Sequence, residues 1–198
     1  VDEDGKLRDK EFGARVVKTP FGEMTRMWLD GNIEIDVMRR HLPPLEDLRF
    51  LDIGAGYGRL AVPLSRVAAS VTCVDAVPIS TQVCTQYCEK FAPSVTVLSL
   101  ADFRAKLPAL SFDVACNVHS WNECSYDQIA RWLEVLRNMN VPWLFTVSHG
   151  RLVGAETPYR TWETPMRSWR PLLEAEYHLI AEETIGLGDH PQAIWRRK

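Results

Sequence analysis

The chain has 198 residues, a formal net charge of −3 and a hydrophobic fraction of 46%. This length suits one domain with a full core and is too short for two ordinary ones. No basic stripe indicates a nucleic-acid partner. No apolar run approaches the roughly 20 residues of a membrane span, so we expect no membrane partner either.

The cysteines and the first residues indicate the compartment. Five cysteines, an odd number, contain no CxxC pair, and the charged start VDEDGKLRDKEF has no apolar signal region. Cys84 and Cys88 lie four residues apart on a predicted helix, with Cys73 on the strand before it. Because no histidine lies in that segment, we predict no metal site there. We expect reduced thiols in a cytoplasmic protein.

The first 48 residues are predicted to form N-terminal helices that extend or cover the domain of residues 49–198. An amphipathic helix is expected at 30–42, ending before Pro43. A second apolar group at helical spacing precedes it and consists of Phe21, Met24, Met27 and Trp28. Core packing is the favoured role of that group, and substrate contact is the alternative.

From residue 49 onward, strand and helix patterns alternate, which is typical of a parallel sheet covered on both faces. We predict strands at 49–53, 70–75, 95–98, 112–118 and 143–148. Helices are predicted at 58–69, 79–91, 101–106 and 126–138. After a helix at 165–173, strands at 177–184 and 192–196 flank a turn-rich loop and are expected to pair as an antiparallel hairpin. The predicted fold class is a doubly wound α/β domain.

A glycine-rich turn follows the first of these strands, in the run FLDIGAGYGRL. Gly54, Gly56 and Gly58 remove the Cβ atoms that would keep the backbone from turning tightly against a ligand. A dinucleotide fingerprint would require a third glycine at the position of Arg59, which disfavours a nicotinamide-dependent oxidoreductase. A turn needed only for strand-to-helix packing is the alternative.

Two carboxylates accompany the glycines. Asp52 lies two residues before Gly54, and Asp75 ends the second strand, where nucleotide-binding folds place a carboxylate that accepts the ribose hydroxyls. The alternative for Asp75 is a cap on the helix that follows. Together with the G-x-G-x-G turn, these acids predict a nucleotide-like ligand.

This turn and its acid resemble motif I of the class I S-adenosylmethionine-dependent methyltransferases. The resemblance covers about residues 48–198 and implies a mostly parallel seven-stranded sheet with an antiparallel last strand. It implies S-adenosylmethionine as the cofactor, with Asp52 holding the amino group of its methionine part, directly or through water. Further cofactor contacts are expected from Gly54, Gly56, Gly58, Arg59, Asp75 and Ala76.

Ligands of such sheets bind beyond the carboxyl ends of the strands. After the third strand, the resemblance implies that Asp102 hydrogen-bonds the adenine amino group and that Phe103 packs against the ring. A helix N-cap is the alternative role of Asp102.

The densest polar and aromatic group, NVHSWNEC, follows the fourth strand, where the family has the residues nearest the transferred methyl group. His119 is the expected catalytic base because an imidazole titrates close to neutral pH. Glu123 would orient that ring or act itself, and Asn117 would hold the cofactor. His149, after the fifth strand, is a second catalytic candidate. For both histidines a structural role is the alternative.

The methyl acceptor is expected to be a small molecule that offers a hydroxyl oxygen. The absence of Pro-Pro after the fourth strand disfavours an amino-nitrogen target. The strings N-V-H-S-x-x-E, GAGYGRLA and RRHLP are similar to a group of bacterial sugar O-methyltransferases, which implies a sugar acceptor. The long segment 150–169 brings Arg160 and Trp162 near the strand ends, where they suit a sugar or a lid. A cofactor-binding module without catalysis is the alternative function.

Overall fold

The computed structural model describes residues 6, 10, 13–20, 22–149, 159–184 and 190–198. Its N-terminal part is an antiparallel hairpin of β1 (Val16–Thr19) and β2 (Gly22–Thr25), followed by helix α1 (Arg26–His41). Thr25 ends the strand and caps the helix, because its side chain accepts a 3.2 Å hydrogen bond from the Trp28 amide.

Among the described residues before β3, the helix predicted at 30–42 is present as α1, whereas the second apolar group begins on the hairpin and not on a helix. The apolar group at helical spacing is divided by the Thr25 cap, with Met24 buried on β2 and Trp28 buried on α1. The spacing of three and four residues in this group is that of a single helix. The chain instead changes from strand to helix within the group, because its first part pairs with β1. Phe21 lies outside the described residues.

Seven strands form one sheet in the order β5–β4–β3–β6–β7–β9–β8. They are β3 (Arg49–Ile53), β4 (Ser70–Asp75), β5 (Thr96–Ser99), β6 (Val114–Val118), β7 (Trp143–Val147), β8 (Tyr177–Thr184) and β9 (Pro191–Arg197). β3 to β7 are parallel, and β9 pairs antiparallel with both β7 and β8. This confirms the predicted mostly parallel, doubly wound sheet with an antiparallel last strand.

The helices between the strands are α2 (Ala61–Leu64), α3 (Pro78–Phe91), α4 (Leu100–Lys106), α5 (Tyr126–Asn138) and α6 (Arg170–Glu176). α2 is shorter than predicted. α6 begins at Arg170, five residues later than expected, and has Pro171 in its first turn, where a missing N–H group removes no helical hydrogen bond. None of the described helices is long and apolar enough to cross a membrane.

The sheet separates two apolar clusters, because successive strand residues face opposite sides. Phe50 of β3 packs on the side of α1, α2 and α3, whereas Leu51 and Ile53 pack on the side of α4, α5 and α6. All parallel strands end at one edge. The turns after β3, β4, β6 and β7 therefore meet there, next to the start of the antiparallel β9.

Candidate functional site

The glycine turn after β3 adopts left-handed backbone angles, with φ of +69° at Gly54, +59° at Gly56 and +90° at Gly58. A Cβ at Gly54 would lie 2.1 Å from the Ser120 hydroxyl oxygen, so this glycine lets the turn press against the segment after β6. A Cβ at Gly58 would lie 3.0 Å from the sulfur atoms of Cys84 and Cys88 on α3. These two glycines are required for packing. At Gly56 a Cβ would meet no described atom within 4 Å.

Asp75 joins the end of β4 to the glycine turn. One carboxylate oxygen accepts a 3.0 Å hydrogen bond from the Gly56 amide, and the other accepts a 2.8 Å bond from the Val77 amide. The N-cap of α3 is Val77, whose own side chain makes no cap hydrogen bond. Each carboxylate oxygen retains capacity for another donor.

Asp52 is buried on β3, with 2% of its surface exposed. Burial raises the pKa of its carboxyl from 3.8 to about 7, although the nearby Arg59 charge opposes this shift. The carboxyl is therefore divided between its neutral and charged forms near neutral pH. A cationic ligand would favour the charged form.

Arg59, predicted to bind the cofactor, lies in a buried ion pair with Glu34 of α1, at 2.8 Å. Burial raises the pKa of Glu34, while Arg59 opposes the shift. Oε2 of Glu34 and Nη1 of Arg59 are buried without a hydrogen-bond partner among the described residues. The sequence interpretation missed Glu34, although an acid between the apolar Ile33 and Ile35 signals a buried partner.

Asn117 directs its amide into the protein. Its nitrogen donates to the Ile53 carbonyl at 3.0 Å and to the Ser120 hydroxyl at 2.5 Å, and its oxygen accepts from the Trp121 amide at 3.0 Å. The side chain therefore joins the end of β3 to the turn after β6. The cofactor role predicted for Asn117 remains a prediction.

His119 begins the turn after β6 with a φ of 66°, which is uncommon for a residue other than glycine. Its amide donates to the Val147 carbonyl at 2.8 Å. Its ring stacks on that of His149, with centroids 4.6 Å apart and planes at 9°, and meets the His190 ring edge to face at 4.8 Å. The structure thus brings the two predicted histidines together and adds a third.

The sequence interpretation missed His190, which lies in the turn-rich loop before β9. Because β9 runs antiparallel to β7, with Gln192 opposite Val147, the residues before β9 lie beside those after β7. The register of this pair, and not the local sequence, brings His190 to His149.

The pKa of His119 is lowered from 6.5 to about 3, first by burial and then by the neighbouring His149 and His190. The pKa of His149 is also lowered, by burial and His190, while the Glu123 charge opposes the shift. His119 is therefore neutral at pH 7 and a weaker base than the sequence predicted. Glu123 is exposed, and its charge acts on His149.

Asn122, which the sequence interpretation also missed, fixes the backbone beside His149. Its side-chain oxygen accepts hydrogen bonds from the Ser148 hydroxyl at 3.2 Å and from the His149 amide at 3.1 Å. Its nitrogen donates to the Arg160 carbonyl at 3.0 Å. One buried amide thus holds together the turn after β6, the end of β7 and the segment near residue 160.

The histidines open into a cavity of about 200 Å³. It is lined by Arg26, Met27, Asp30, Glu34, Arg59, His119, Val147, His149, His190 and Gln192. Arg26 is paired with Asp30 at 3.4 Å, as Arg59 is with Glu34. The cavity therefore combines the imidazoles of three histidines with two ion pairs.

A second cavity, of about 210 Å³, lies between α4 and α5 and includes Ala76 and Phe103 in its lining. Phe103 is buried, with its ring 5.7 Å from that of Trp132. Asp102 is exposed in the first turn of α4 and accepts a 2.6 Å hydrogen bond from the Ser99 hydroxyl. Ser99 and not Asp102 is the N-cap of this helix.

Comparisons with known proteins cover part of the chain. Residues 50–142 match a family model described as a methyltransferase domain. Ubiquinone biosynthesis O-methyltransferase of Methylocella silvestris is 46% identical over 57 residues, which cover 28% of this chain and 22% of that protein. The match thus spans about a fifth of the relative's length.

Solved structures share the fold. A SAM-dependent methyltransferase from Aquifex aeolicus has 18% identity and a TM-score of 0.63, over 82% of this chain and 88% of that one. Magnesium protoporphyrin IX methyltransferase from Synechocystis, solved with bound SAH, has 15% identity and a TM-score of 0.61, over 85% and 84%. The sequence match and the fold therefore agree over the region of the glycine turn.

Proposed function

We propose that this chain is a class I methyltransferase that moves a methyl group from S-adenosylmethionine to a hydroxyl oxygen of a small molecule. The observation that carries the proposal is the contact between the two predicted parts of the site. Gly54 of the motif I turn lies against Ser120, which follows His119 directly. The residues that we propose to bind the cofactor and the acceptor thus lie at the same edge of the sheet.

The residues around the glycine turn fit this cofactor. Asp75 retains acceptor capacity for two ribose hydroxyls while it holds the Gly56 and Val77 amides. The buried Asp52 carboxyl, with its raised pKa, gains a favourable partner when a cationic ammonium group is nearby. Ala76 and Phe103 line the second cavity, which would receive the flat adenine, with the exposed Asp102 as a hydrogen-bond acceptor.

When bound, S-adenosylmethionine supplies a methyl group on a positively charged sulfur, and the protein's main task is to position an acceptor against it. The neutral His119 and His149 rings face the cavity and can accept the proton of an acceptor hydroxyl. His149 is the better base of the two, because Glu123 stabilises its protonated form. His119 would hold the acceptor oxygen.

Two resemblances support an oxygen acceptor. The motif after β6 is similar to that of sugar O-methyltransferases, and the Methylocella relative is named an O-methyltransferase of ubiquinone biosynthesis. We propose a hydroxylated small molecule such as a sugar. The arginine and carboxylate groups of the cavity would hydrogen-bond its other hydroxyls.

Calorimetry with S-adenosylhomocysteine and with NAD tests the cofactor class. We expect S-adenosylhomocysteine to bind and NAD not to bind, and binding of NAD alone would overturn the proposal. Mass spectrometry after incubation with sugars and phenols then tests the acceptor class. The alternative of an inactive cofactor-binding module predicts S-adenosylhomocysteine binding with no methylated product from either class.

A further inference from the structure

Three of the five histidines of the chain converge in the first cavity. His119, His149 and His190 each offer a ring nitrogen, and these atoms all lie within 4.8 Å of one another. The residues come from the turn after β6, the turn after β7 and the position directly before β9. Three imidazoles that are distant in sequence and meet in a cavity form a ligand set rather than a surface cluster.

The distances suit a metal ion after a small movement. Imidazole nitrogens on one tetrahedral Zn²⁺ are about 3.3 Å apart, given Zn–N bonds of about 2.0–2.1 Å. The three nitrogens must therefore approach by up to about 1.5 Å, and the stacked rings of His119 and His149 must rotate so that their lone pairs converge. Histidine side-chain torsions can supply both changes. The backbone is already fixed: the His119 amide is bonded to the Val147 carbonyl, and the His149 amide to Asn122.

The polar surroundings also favour an ion. Nδ1 of His119 is buried and has no hydrogen-bond partner among the described residues, and coordination would satisfy such an atom. The two arginines that line the cavity are paired with Asp30 and Glu34, which offset part of their positive charge. Imidazoles bind metal ions through an unprotonated ring nitrogen.

We propose that His119, His149 and His190 bind a divalent transition-metal ion of the zinc type. Imidazole ligands suit Zn²⁺, Co²⁺ and Ni²⁺, whereas Mg²⁺ and Ca²⁺ prefer oxygen ligands. Three protein ligands beside a cavity leave a position for an exogenous oxygen, as in catalytic zinc sites. If the proposed function holds, that oxygen is the acceptor hydroxyl: the bound ion would lower its pKa, its proton would pass to solvent water, and His149 would then act as a ligand and not as the base.

A group of buried thiols must be distinguished from this site. Cys73, Cys84 and Cys88 also have ligand atoms within 4.8 Å of one another, on the far side of the Gly58 turn. Thiolates would bind the same ions. Co²⁺ separates the two sites, because thiolate ligation adds an intense near-ultraviolet charge-transfer band that imidazole ligation does not.

The test is a titration of the full chain with Co²⁺ and with Zn²⁺, in the absence of cofactor. Calorimetry measures the binding of both ions, and absorption spectra report the ligands of Co²⁺. We expect one equivalent to bind with imidazole-type spectra. His190→Ala and His149→Gln should each weaken binding at least about tenfold. His178→Ala, at an exposed histidine on β8, is the matched control and should bind as the wild type does.

Circular dichroism and melting curves establish that the variants are folded. Three results would overturn the metal site: no binding at millimolar Co²⁺, unchanged binding in both histidine variants, or binding that is abolished by Cys84→Ser and shows the thiolate band. S-adenosylhomocysteine binding is measured separately in the same proteins. Cofactor binding without metal binding would refute this inference and leave the proposed methyl transfer intact.

Discussion

Asp52→Asn should change how the stability of the protein depends on pH. The Asp52 carboxyl is buried, and its pKa is raised from 3.8 to about 7, mainly by desolvation. An acid with a raised folded-state pKa binds its proton more tightly in the folded than in the unfolded state. Its contribution to the free energy of unfolding therefore falls as pH rises from about 4 to about 7. Asparagine does not titrate, so the Asp52→Asn variant lacks this pH-dependent fall in the free energy of unfolding.

The magnitude follows from the shift. A displacement of about three pKa units corresponds to about 4 kcal/mol, at 1.36 kcal/mol per unit. About 2 to 3 kcal/mol of this decrease in the free energy of unfolding occurs between pH 5 and pH 8. Relative to the wild type, Asp52→Asn should therefore gain about that much stability over this interval. Effects of the mutation that do not depend on pH cancel in the comparison.

Urea unfolding at pH 5, 6, 7 and 8 measures the difference directly. Asp113→Asn is the control, because Arg49 holds the pKa of the Asp113 carboxyl below its ordinary value. The stabilisation by the charged Asp113 carboxylate is present above pH 4 and is lost only in acid. The difference in free energy of unfolding between Asp113→Asn and the wild type should therefore stay constant from pH 5 to 8. If the difference in free energy of unfolding between Asp52→Asn and the wild type were equally constant, the reasoning would be refuted.

Three further predictions concern the glycine turn and its surroundings. Asp75→Asn should weaken S-adenosylhomocysteine binding by about 1 to 3 kcal/mol in calorimetry, because charge-assisted hydrogen bonds are lost; an unchanged affinity would exclude the ribose role. Gly54→Ala should lower the urea midpoint, because its Cβ would overlap the Ser120 hydroxyl and its φ is +69°; wild-type stability would contradict this packing. Arg59→Met should cost about 3 to 5 kcal/mol of stability by leaving Glu34 buried and unpaired. Glu34→Leu in the same chain should recover part of this loss, and no recovery would contradict the pair.

The sheet could be predicted from the sequence because its strands are short apolar runs that end in polar or turn residues. β3 (Arg49–Ile53) and β4 (Ser70–Asp75) have the predicted bounds, since Gly54 and Asp75 mark their ends. The N-terminal hairpin could not be predicted in this way. Its two short strands stabilise each other by pairing, and Met24 fits the spacing of a helix equally well.

The candidate site was predictable where its residues lie next to a strand end. His119 and His149 follow β6 and β7, and both line the cavity. His190, Glu34 and Asn122 depend on tertiary structure: the register of β9, the packing of α1 on the glycine turn, and hydrogen bonds to two distant segments. Local patterns carry no information about such pairings, because each partner is far away in the sequence.

If the first cavity receives the acceptor, as we propose, most of the acceptor site lies outside the matched methyltransferase region. Of its lining residues, only Arg59 and His119 lie within residues 50–142. The others come from α1, from the end of β7 and the turn after it, and from the residue before β9 and the start of that strand. The matched region thus contains the cofactor turn, whereas the N-terminal helix and the antiparallel last strand supply most of the surface that an acceptor would touch. Acceptor selectivity should therefore follow changes in α1 and β9 while cofactor affinity stays constant.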